Sequence, residues 1–207
     1  MLKILGRPNS GNVQKVTWVC GEIGLAFERE DIGGAFGRTK DADYIAMTPN
    51  SVVPTIVDDG FVLWESNAIT RYLVRKHANG PLAPTAPQAY ADADRWMDWQ
   101  QTTVAPNMLP IFWGLVRTPE AERDLDAIDQ ARLRGIQVWQ ILDDRLAGRE
   151  YIMGDALTMA DIPVAIQCYR WTTLIQDRPA MPNLEAWYAR CAERPAFKEH
   201  VLDIPLT

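Results

Sequence analysis

The chain has 207 residues, 47% of them hydrophobic and 23% charged, which is typical of a globular protein with one large or two modest domains. Its net charge of −6 disfavours nucleic acid and anionic membranes as partners, and no apolar run approaches the length needed to span a bilayer. Its three cysteines are widely spaced, which argues against a disulfide framework and favours a reducing cytosol. The first residues begin directly with a strand pattern instead of a signal peptide, so we expect a cytoplasmic protein.

The charge is unevenly distributed along the chain. Up to Asn79, nine basic residues balance nine acidic ones, whereas the remaining twelve basic and eighteen acidic residues carry the whole net charge. The neutral first part is therefore the better place for an anionic ligand.

The first part of the chain alternates strands with helices. Residues 3–5 form a short strand, 6–12 a loop rich in glycine and asparagine, and 13–23 a helix that Gly24 ends. Residues 27–32 are predicted to form a second strand and residues 41–47 a short helix.

A strand–turn–strand–helix unit follows. Residues 53–57 are a β-branched run, Asp58-Asp59-Gly60 suits a tight hairpin, and residues 61–64 form the next apolar run. Pro54 suits a strand entrance and a cis peptide bond, because proline cannot donate to a central ladder. Ser66 precedes apolar residues at helical spacing, and we interpret it as the N-cap of a helix.

The second part of the chain lacks strand patterns. Residues 80–87 form a proline-rich linker, so we place domains at residues 1–79 and 88–207. Helices are predicted at 89–104, 125–146, 158–173, 183–192 and 196–202, with Pro106 and Pro110 kinking or ending the first of them. Thr158 and Asp161 form a capping box at the start of one helix. Pro163, inside that helix, is expected to forfeit a backbone hydrogen bond.

Two features of the hairpin unit favour a peptide-like ligand with an α-amino acid end. A cis bond at Pro54 would turn the Val53 backbone away from the sheet, where it can pair with an extended ligand. Free N–H groups beside Ser66 would hold a carboxylate, and Glu65 would take a neighbouring ammonium group. The alternative is a hairpin followed by an ordinary capped helix.

This combination of Val53-Pro54 with Glu65-Ser66 resembles the glutathione S-transferase superfamily, in particular its bacterial serine- or cysteine-using members of theta or nu type. The resemblance implies an α/β thioredoxin-like N-terminal domain followed by an all-α helical C-terminal domain. It further implies a homodimer, since members of the family usually assemble from two copies of the chain. It also implies that Val53 pairs with the cysteinyl part of glutathione, while Glu65 and Ser66 hold its γ-glutamyl end.

The catalytic residue of serine- or cysteine-using transferases follows the first strand and lies six residues before an apolar residue of the first helix. Ser10 and Val16 match that spacing, so the resemblance implies that Ser10 stabilises the thiolate of glutathione and that Asn12 assists. The alternative is that Ser10 and Asn12 only turn and cap the helix. No tyrosine precedes Tyr44, which excludes the classes that use tyrosine.

Two further groups of binding residues are weaker predictions. Many relatives carry a basic residue directly before the Val-Pro pair, where Val52 stands here, so Arg38 or Lys40 would have to serve the glycyl carboxylate. Apolar side chains of the second domain are candidates either for the core or for a pocket that holds an apolar co-substrate: Met108, Phe112, Trp113 and Trp171. The two histidines, His77 and His200, have no spacing partner, so no metal site is expected.

The resulting hypothesis is a glutathione transferase that conjugates the glutathione thiolate to an electrophilic, apolar co-substrate. A glutathione-dependent disulfide oxidoreductase is one alternative, because a hydroxyl residue with asparagine in this loop also resembles the nu class. A module of the same fold that only binds partners is another. Turnover of a chlorinated aromatic or of a small disulfide would separate the enzymes, and binding without turnover would indicate the module.

Overall fold

The computed structural model describes all residues from Met1 to Thr207, which fall into two compact units. Unit 1 comprises Met1–Ala83 and Pro195–Pro205, and unit 2 comprises Pro84–Arg194 and Leu206–Thr207. None of the helices is long and apolar enough to cross a membrane.

Unit 1 has the predicted β-α-β-α-β-β-α order. Its elements are β1 (Leu2–Leu5), α1 (Gly11–Ile23), β2 (Phe27–Glu30), α2 (Ala42–Met47), β3 (Thr55–Asp58), β4 (Phe61–Trp64) and α3 (Ser66–His77). The strands form one mixed sheet in the order β2-β1-β3-β4, in which only β1 and β2 are parallel. The predicted strand 27–32 extends two residues beyond β2, and the predicted strand 53–57 begins two residues before β3, at the cis peptide bond that precedes it.

Local sequence explains the ends of these elements. Gly24 closes α1 in the left-handed conformation with φ of 64°, and its N–H group bonds back to the helix. Asp59 and Gly60 both have positive φ, of 49° and 88°, as the tight turn between β3 and β4 requires. Both turns are confirmed.

The C-terminal segment corrects the predicted domain boundary, which placed everything after residue 88 in the helical domain. Residues Pro195–Phe197 form α9, continue as a π-helical turn to Leu202, and belong to unit 1. Phe197 meets the Trp18 ring edge-on at a centroid distance of 4.6 Å. Gly21 allows this packing, since a Cβ atom there would lie 2.7 Å from that of Ala196. Helical periodicity alone carries no information about which unit a terminal helix joins.

Unit 2 is helical, as predicted. Its helices are α4 (Pro87–Trp99), α5 (Ala105–Phe112), α6 (Leu125–Leu146), α7 (Asp161–Leu174) and α8 (Pro182–Glu193). Pro106 and Pro110 do not end the helix, because π-helical turns at Gln100–Val104 and Trp113–Arg117 flank α5 and keep the helical path continuous.

The predicted capping-box residues Thr158 and Asp161 bond to each other at the start of α7, although Ala160 and not Thr158 is the N-cap residue, and Asp161 has further partners. The Asp161 carboxylate accepts hydrogen bonds from the Thr158 N–H at 2.9 Å and from the Ile152 N–H and Trp187 Nε1, each also at 2.9 Å. Because α7 begins at Asp161, Pro163 lies in the first turn, where its N–H would have no helical partner. The expected loss of a hydrogen bond at Pro163 was therefore wrong.

Three chain segments meet at one end of the strands of the sheet. Leu5, the last residue of β1, lies opposite Thr55, the first residue of β3, and Thr55 also lies opposite Trp64 at the end of β4. The loop that follows β1, the turn that precedes β3 and the start of α3 after β4 are consequently neighbours. These are the segments that carry Ser10, Pro54 and Glu65.

Candidate functional site

The N-terminus of α3 carries Glu65 and Ser66, and the helix begins one position earlier than predicted. Glu65 is the N-cap, with φ of 71°, and Ser66 is the first helical residue, so Ser66 does not cap the helix. The N–H of Ile69 is the first to bond within the helix, to the Glu65 carbonyl. The N–H groups of Ser66 and Ala68 thus have no helical partners and are suited to a carboxylate.

The peptide bond between Val53 and Pro54 is cis, as the sequence indicated. The Val53 backbone makes no hydrogen bond to another backbone group, whereas the preceding carbonyl of Val52 accepts one from the Tyr44 hydroxyl at 2.8 Å. A Cβ atom at Gly6 would lie 3.2 Å from that of Val53, so the missing side chain lets the loop after β1 approach this turn. Val53 therefore presents a free backbone edge beside that loop.

The N-terminus of α1 carries Ser10 and Asn12. Ser10 is the N-cap residue, with an extended backbone, but its hydroxyl makes no capping hydrogen bond. Gln14 N–H is the first to bond within the helix, to the Ser10 carbonyl at 2.9 Å, so the N–H groups of the first turn are also free of helical partners. An uncommitted hydroxyl beside these N–H groups is suited to stabilising an anion.

A hydrogen-bonded network joins the two helix N-termini. The Ser66 hydroxyl donates to Asn12 Oδ1 at 3.2 Å, and Lys15 Nζ donates to Ser66 Oγ at 3.3 Å and to Asn67 Oδ1 at 3.0 Å. Lys15 is completely buried. Lys15 was not among the site residues predicted from the sequence. A signal was available, because a lysine among Val13, Val16 and Val19 is a charged residue within an apolar stretch of helix.

Comparison with known proteins decides the family. Residues 1–75 match the model of the glutathione S-transferase N-terminal domain, and residues 104–195 match that of the C-terminal domain. The whole chain is 38% identical to glutathione S-transferase GstB of Escherichia coli strain K12, over the full length of both proteins. The chain belongs to the glutathione S-transferase family.

Other relatives agree with this assignment. The chain is 32% identical to glutathione S-transferase 3 of Zea mays, over 99% of this chain and 95% of that protein. A crystal structure of the theta class glutathione S-transferase from Xanthomonas axonopodis pv. citri with glutathione bound matches with a TM-score of 0.95 and 44% identity, covering 100% of this chain and 99% of the other. The resemblance found from Val53-Pro54 and Glu65-Ser66 is confirmed.

The two basic residues predicted for the glycyl carboxylate of glutathione differ in their surroundings. The guanidinium of Arg38 is paired with Glu30 and lies 3.7 Å from Asp41 and 3.9 Å from Asp43. The pairing with Glu30 raises the pKa of Arg38. Lys40 is exposed, and it follows Thr39, which lies beside Gly33 on the side where Gly33 faces Val53. Of the two, only Lys40 makes no ion pair.

The four apolar residues proposed for a co-substrate pocket are not equivalent. Met108 and Trp171 are fully packed in the core of unit 2, and Phe112 is buried with the guanidinium of Arg170 over its ring at 4.4 Å. Their burial agrees with the core role that the sequence left open for them. Trp113 is 57% exposed and is the only one of the four that offers a free aromatic surface.

The protein's own thiols are unsuited to supplying the nucleophile. All three cysteines are buried and none forms a disulfide, and burial raises the pKa of the Cys20 thiol to about 12. No group of histidine, cysteine, aspartate and glutamate side chains is arranged to hold a metal ion. His200 is half-buried beside Phe27, and burial lowers its pKa. A reactive thiolate at this site would have to come from a ligand.

Proposed function

We propose that this protein binds glutathione in unit 1, ionises its thiol, and transfers the thiolate to an electrophilic, apolar co-substrate. The observation that carries the proposal is the 3.2 Å hydrogen bond between Ser66 and Asn12, which joins the N-terminus of α3 to the N-terminus of α1. The relatives' names and the glutathione-bound theta class structure support it.

The binding part of the proposal uses three contacts. The α-carboxylate of the γ-glutamyl group lies at the first turn of α3, where the Ser66 hydroxyl and the N–H groups of Ser66 and Ala68 donate to it. Glu65, whose Oε1 is 3.4 Å from Asn50 Nδ2, takes the ammonium group. The cysteinyl backbone pairs with the free backbone edge of Val53, which the buried Pro54 fixes in place.

The chemical part takes place at the N-terminus of α1. The Ser10 hydroxyl, the Asn12 amide and the free N–H groups stabilise the thiolate, so that the thiol loses its proton to solvent near neutral pH. The sulfur lone pair then forms a bond to carbon of the co-substrate, and the leaving group departs with its bonding electron pair.

Glutathione-dependent disulfide reduction is the second candidate, and the placement of Asn12 favours it. Asn12 is exposed at the second position of α1 and is held by Ser66, so its amide is oriented toward the ligand site. Assays with a chlorinated aromatic and with a small disulfide separate the two reactions. Loss of the faster reaction in Ser10→Ala or Asn12→Ala assigns it to this site, whereas glutathione binding without turnover of either class indicates a binding module.

We also propose that the protein works as a cytoplasmic homodimer. The three buried cysteines form no disulfide, which is consistent with a reducing compartment, and dimers are what the family resemblance implies. Sedimentation analysis at micromolar concentration tests the dimer, and a mass equal to one chain of 23.4 kDa would contradict it.

Replacing Glu65 with alanine is expected to weaken glutathione binding about tenfold or more, because a charge-assisted hydrogen bond is worth ~1.5–3 kcal/mol. Titration calorimetry measures the affinity, and Glu150→Ala, an exposed carboxylate of unit 2, is the matched control. Unchanged affinity in Glu65→Ala would remove the ammonium contact from the proposal.

Replacing Lys40 with alanine is expected to raise KM for glutathione severalfold and to leave kcat nearly unchanged, since an exposed cation at the glycyl carboxylate contributes ~0.2–1 kcal/mol. Arg38→Ala is the matched comparison, because Arg38 is paired with three carboxylates of its own unit. Steady-state kinetics in which only Arg38→Ala raises KM would reverse the assignment.

A further inference from the structure

Lys15 is a fully buried charged residue that the proposed reaction does not use. It lies in the second turn of α1, one turn beyond Ser10, and none of its side chain is exposed. Burying an ammonium group is costly unless other groups satisfy it, so a buried lysine at the edge of a ligand site calls for a physical reason.

The hydrogen bonds of Lys15 fix the orientation of the groups around it. An ammonium group only donates, so Ser66 Oγ and Asn67 Oδ1 must be acceptors toward Lys15. The Ser66 hydroxyl is then left with its own proton, which it gives to Asn12 Oδ1. When a carboxylate binds at the first turn of α3, the Ser66 hydroxyl can donate this proton to it. Lys15 therefore keeps Ser66 in the donating state that anion binding requires.

The two helix N-termini next to Lys15 carry partial charges of the same sign as its ammonium group. Asn12 and Ser66 mark the N-terminal turns of α1 and α3, each of which carries a positive partial charge from its helix dipole. The Lys15 ammonium lies directly behind them in a region that excludes water, where charge interactions are weakly screened. Positive charges that converge in this way are stabilised when a negative charge joins them.

We propose that Lys15 is a positioning residue whose buried ammonium selects the α-carboxylate of the γ-glutamyl group at the first turn of α3. It touches Ser66 and Asn67 and acts on the ligand through them and through its charge. This inference rests on the proposed function, since it assumes that the γ-glutamyl end of glutathione occupies this turn. It adds that recognition of the carboxylate depends on a residue of α1 behind the site.

The test pairs a change in the protein with a change in the ligand. Glutathione is compared with 4-aminobutanoyl-cysteinyl-glycine, which has the same chain but lacks the α-carboxylate. Wild type is expected to bind glutathione more tightly than the analogue. In Lys15→Met, whose side chain is of similar length but uncharged, the ratio of the two affinities is expected to fall at least about tenfold, equivalent to ~1.4 kcal/mol. Affinity for the analogue should stay within about twofold of wild type. Titration calorimetry measures all four affinities.

A purely structural role of Lys15 predicts a different pattern. Weakening of both ligands by the same factor, or of neither, would overturn the inference. Lys198→Met, at an exposed lysine of the same unit, is the control and should leave the preference unchanged. Failure of wild type to bind either ligand would instead overturn the proposed function, and the inference with it.

Two additions cover a loss of folding in Lys15→Met. Lys15→Gln keeps an N–H donor but removes the charge, so it too should narrow the preference for glutathione if the charge is responsible. In the unaltered protein, Lys15 is the one buried lysine among five. Its slowly exchanging ¹⁵N ammonium signal is expected to shift when glutathione is added and to stay in place with the analogue. A signal that responds to both ligands alike would contradict the inference.

Discussion

The Ser10→Ala protein is expected to bind glutathione almost as tightly as wild type but to hold its thiol with a pKa raised by about one to two units. A hydrogen bond to an anion is worth ~1.5–3 kcal/mol, and each pKa unit corresponds to about 1.4 kcal/mol. The affinity is retained because the contacts of Glu65, Ser66 and Val53 are untouched. Thiolate absorbance near 240 nm, followed against pH, measures the shift.

Asn12→Ala is the informative comparison for this experiment. Asn12 also accepts the Ser66 hydroxyl proton, so its loss is expected to affect both the thiol pKa and the affinity, whereas Ser10→Ala affects the pKa alone. A larger pKa shift in Asn12→Ala than in Ser10→Ala would favour the nu-like pattern. Identical titration curves for wild type and Ser10→Ala would reduce Ser10 to a turn residue and move the thiolate contact to Asn12.

The second large effect is expected on stability, from Asp161→Ala. Its carboxylate is completely buried and accepts hydrogen bonds from two backbone N–H groups and one indole N–H. Without the carboxylate, these buried donors could not bond to water instead. Burial raises the pKa of Asp161, and these hydrogen bonds oppose the rise by favouring the ionised form. Since each buried donor left unpaired costs ~1–3 kcal/mol, the free energy of unfolding should fall by about 3 kcal/mol or more.

Urea denaturation of matched variants measures this loss. Asp161→Asn keeps the shape and one acceptor oxygen, so an intermediate loss is expected. Asp155→Ala, at an exposed carboxylate only six residues away, should change the free energy of unfolding by less than about 0.5 kcal/mol. An Asp161→Ala protein as stable as Asp155→Ala would show that the hydrogen bonds of Asp161 do not stabilise the packing of the start of α7 against α8.

Local chemistry made much of unit 1 predictable. Gly24 ends α1, and Asp59 with Gly60 turns the chain between β3 and β4, because both features depend on which residues tolerate positive φ. The capping box of Thr158 and Asp161 was also predictable, since its two members lie three residues apart. In each case the residues that determine the structure are neighbours in the sequence.

Features that depend on distant residues were missed or misplaced. Ser66 was interpreted as the N-cap, but Glu65 takes that position. Its φ of 71° is uncommon for a residue other than glycine, so the sequence does not indicate it. Lys15 meets Ser66 across 51 positions of sequence, so its part in the site is visible only once α1 and α3 are packed. The docking of Phe197 on Trp18 depends likewise on packing between the two ends of unit 1.

The most direct test of the proposed site is a crystal structure of the protein soaked with glutathione. We expect the α-carboxylate at Ser66 and the first turn of α3, the cysteinyl backbone paired with Val53, and the sulfur within hydrogen-bonding distance of Ser10 Oγ or the Asn12 amide. Glutathione bound elsewhere, or with its sulfur directed away from the N-terminus of α1, would contradict the proposal that this site both holds glutathione and ionises its thiol.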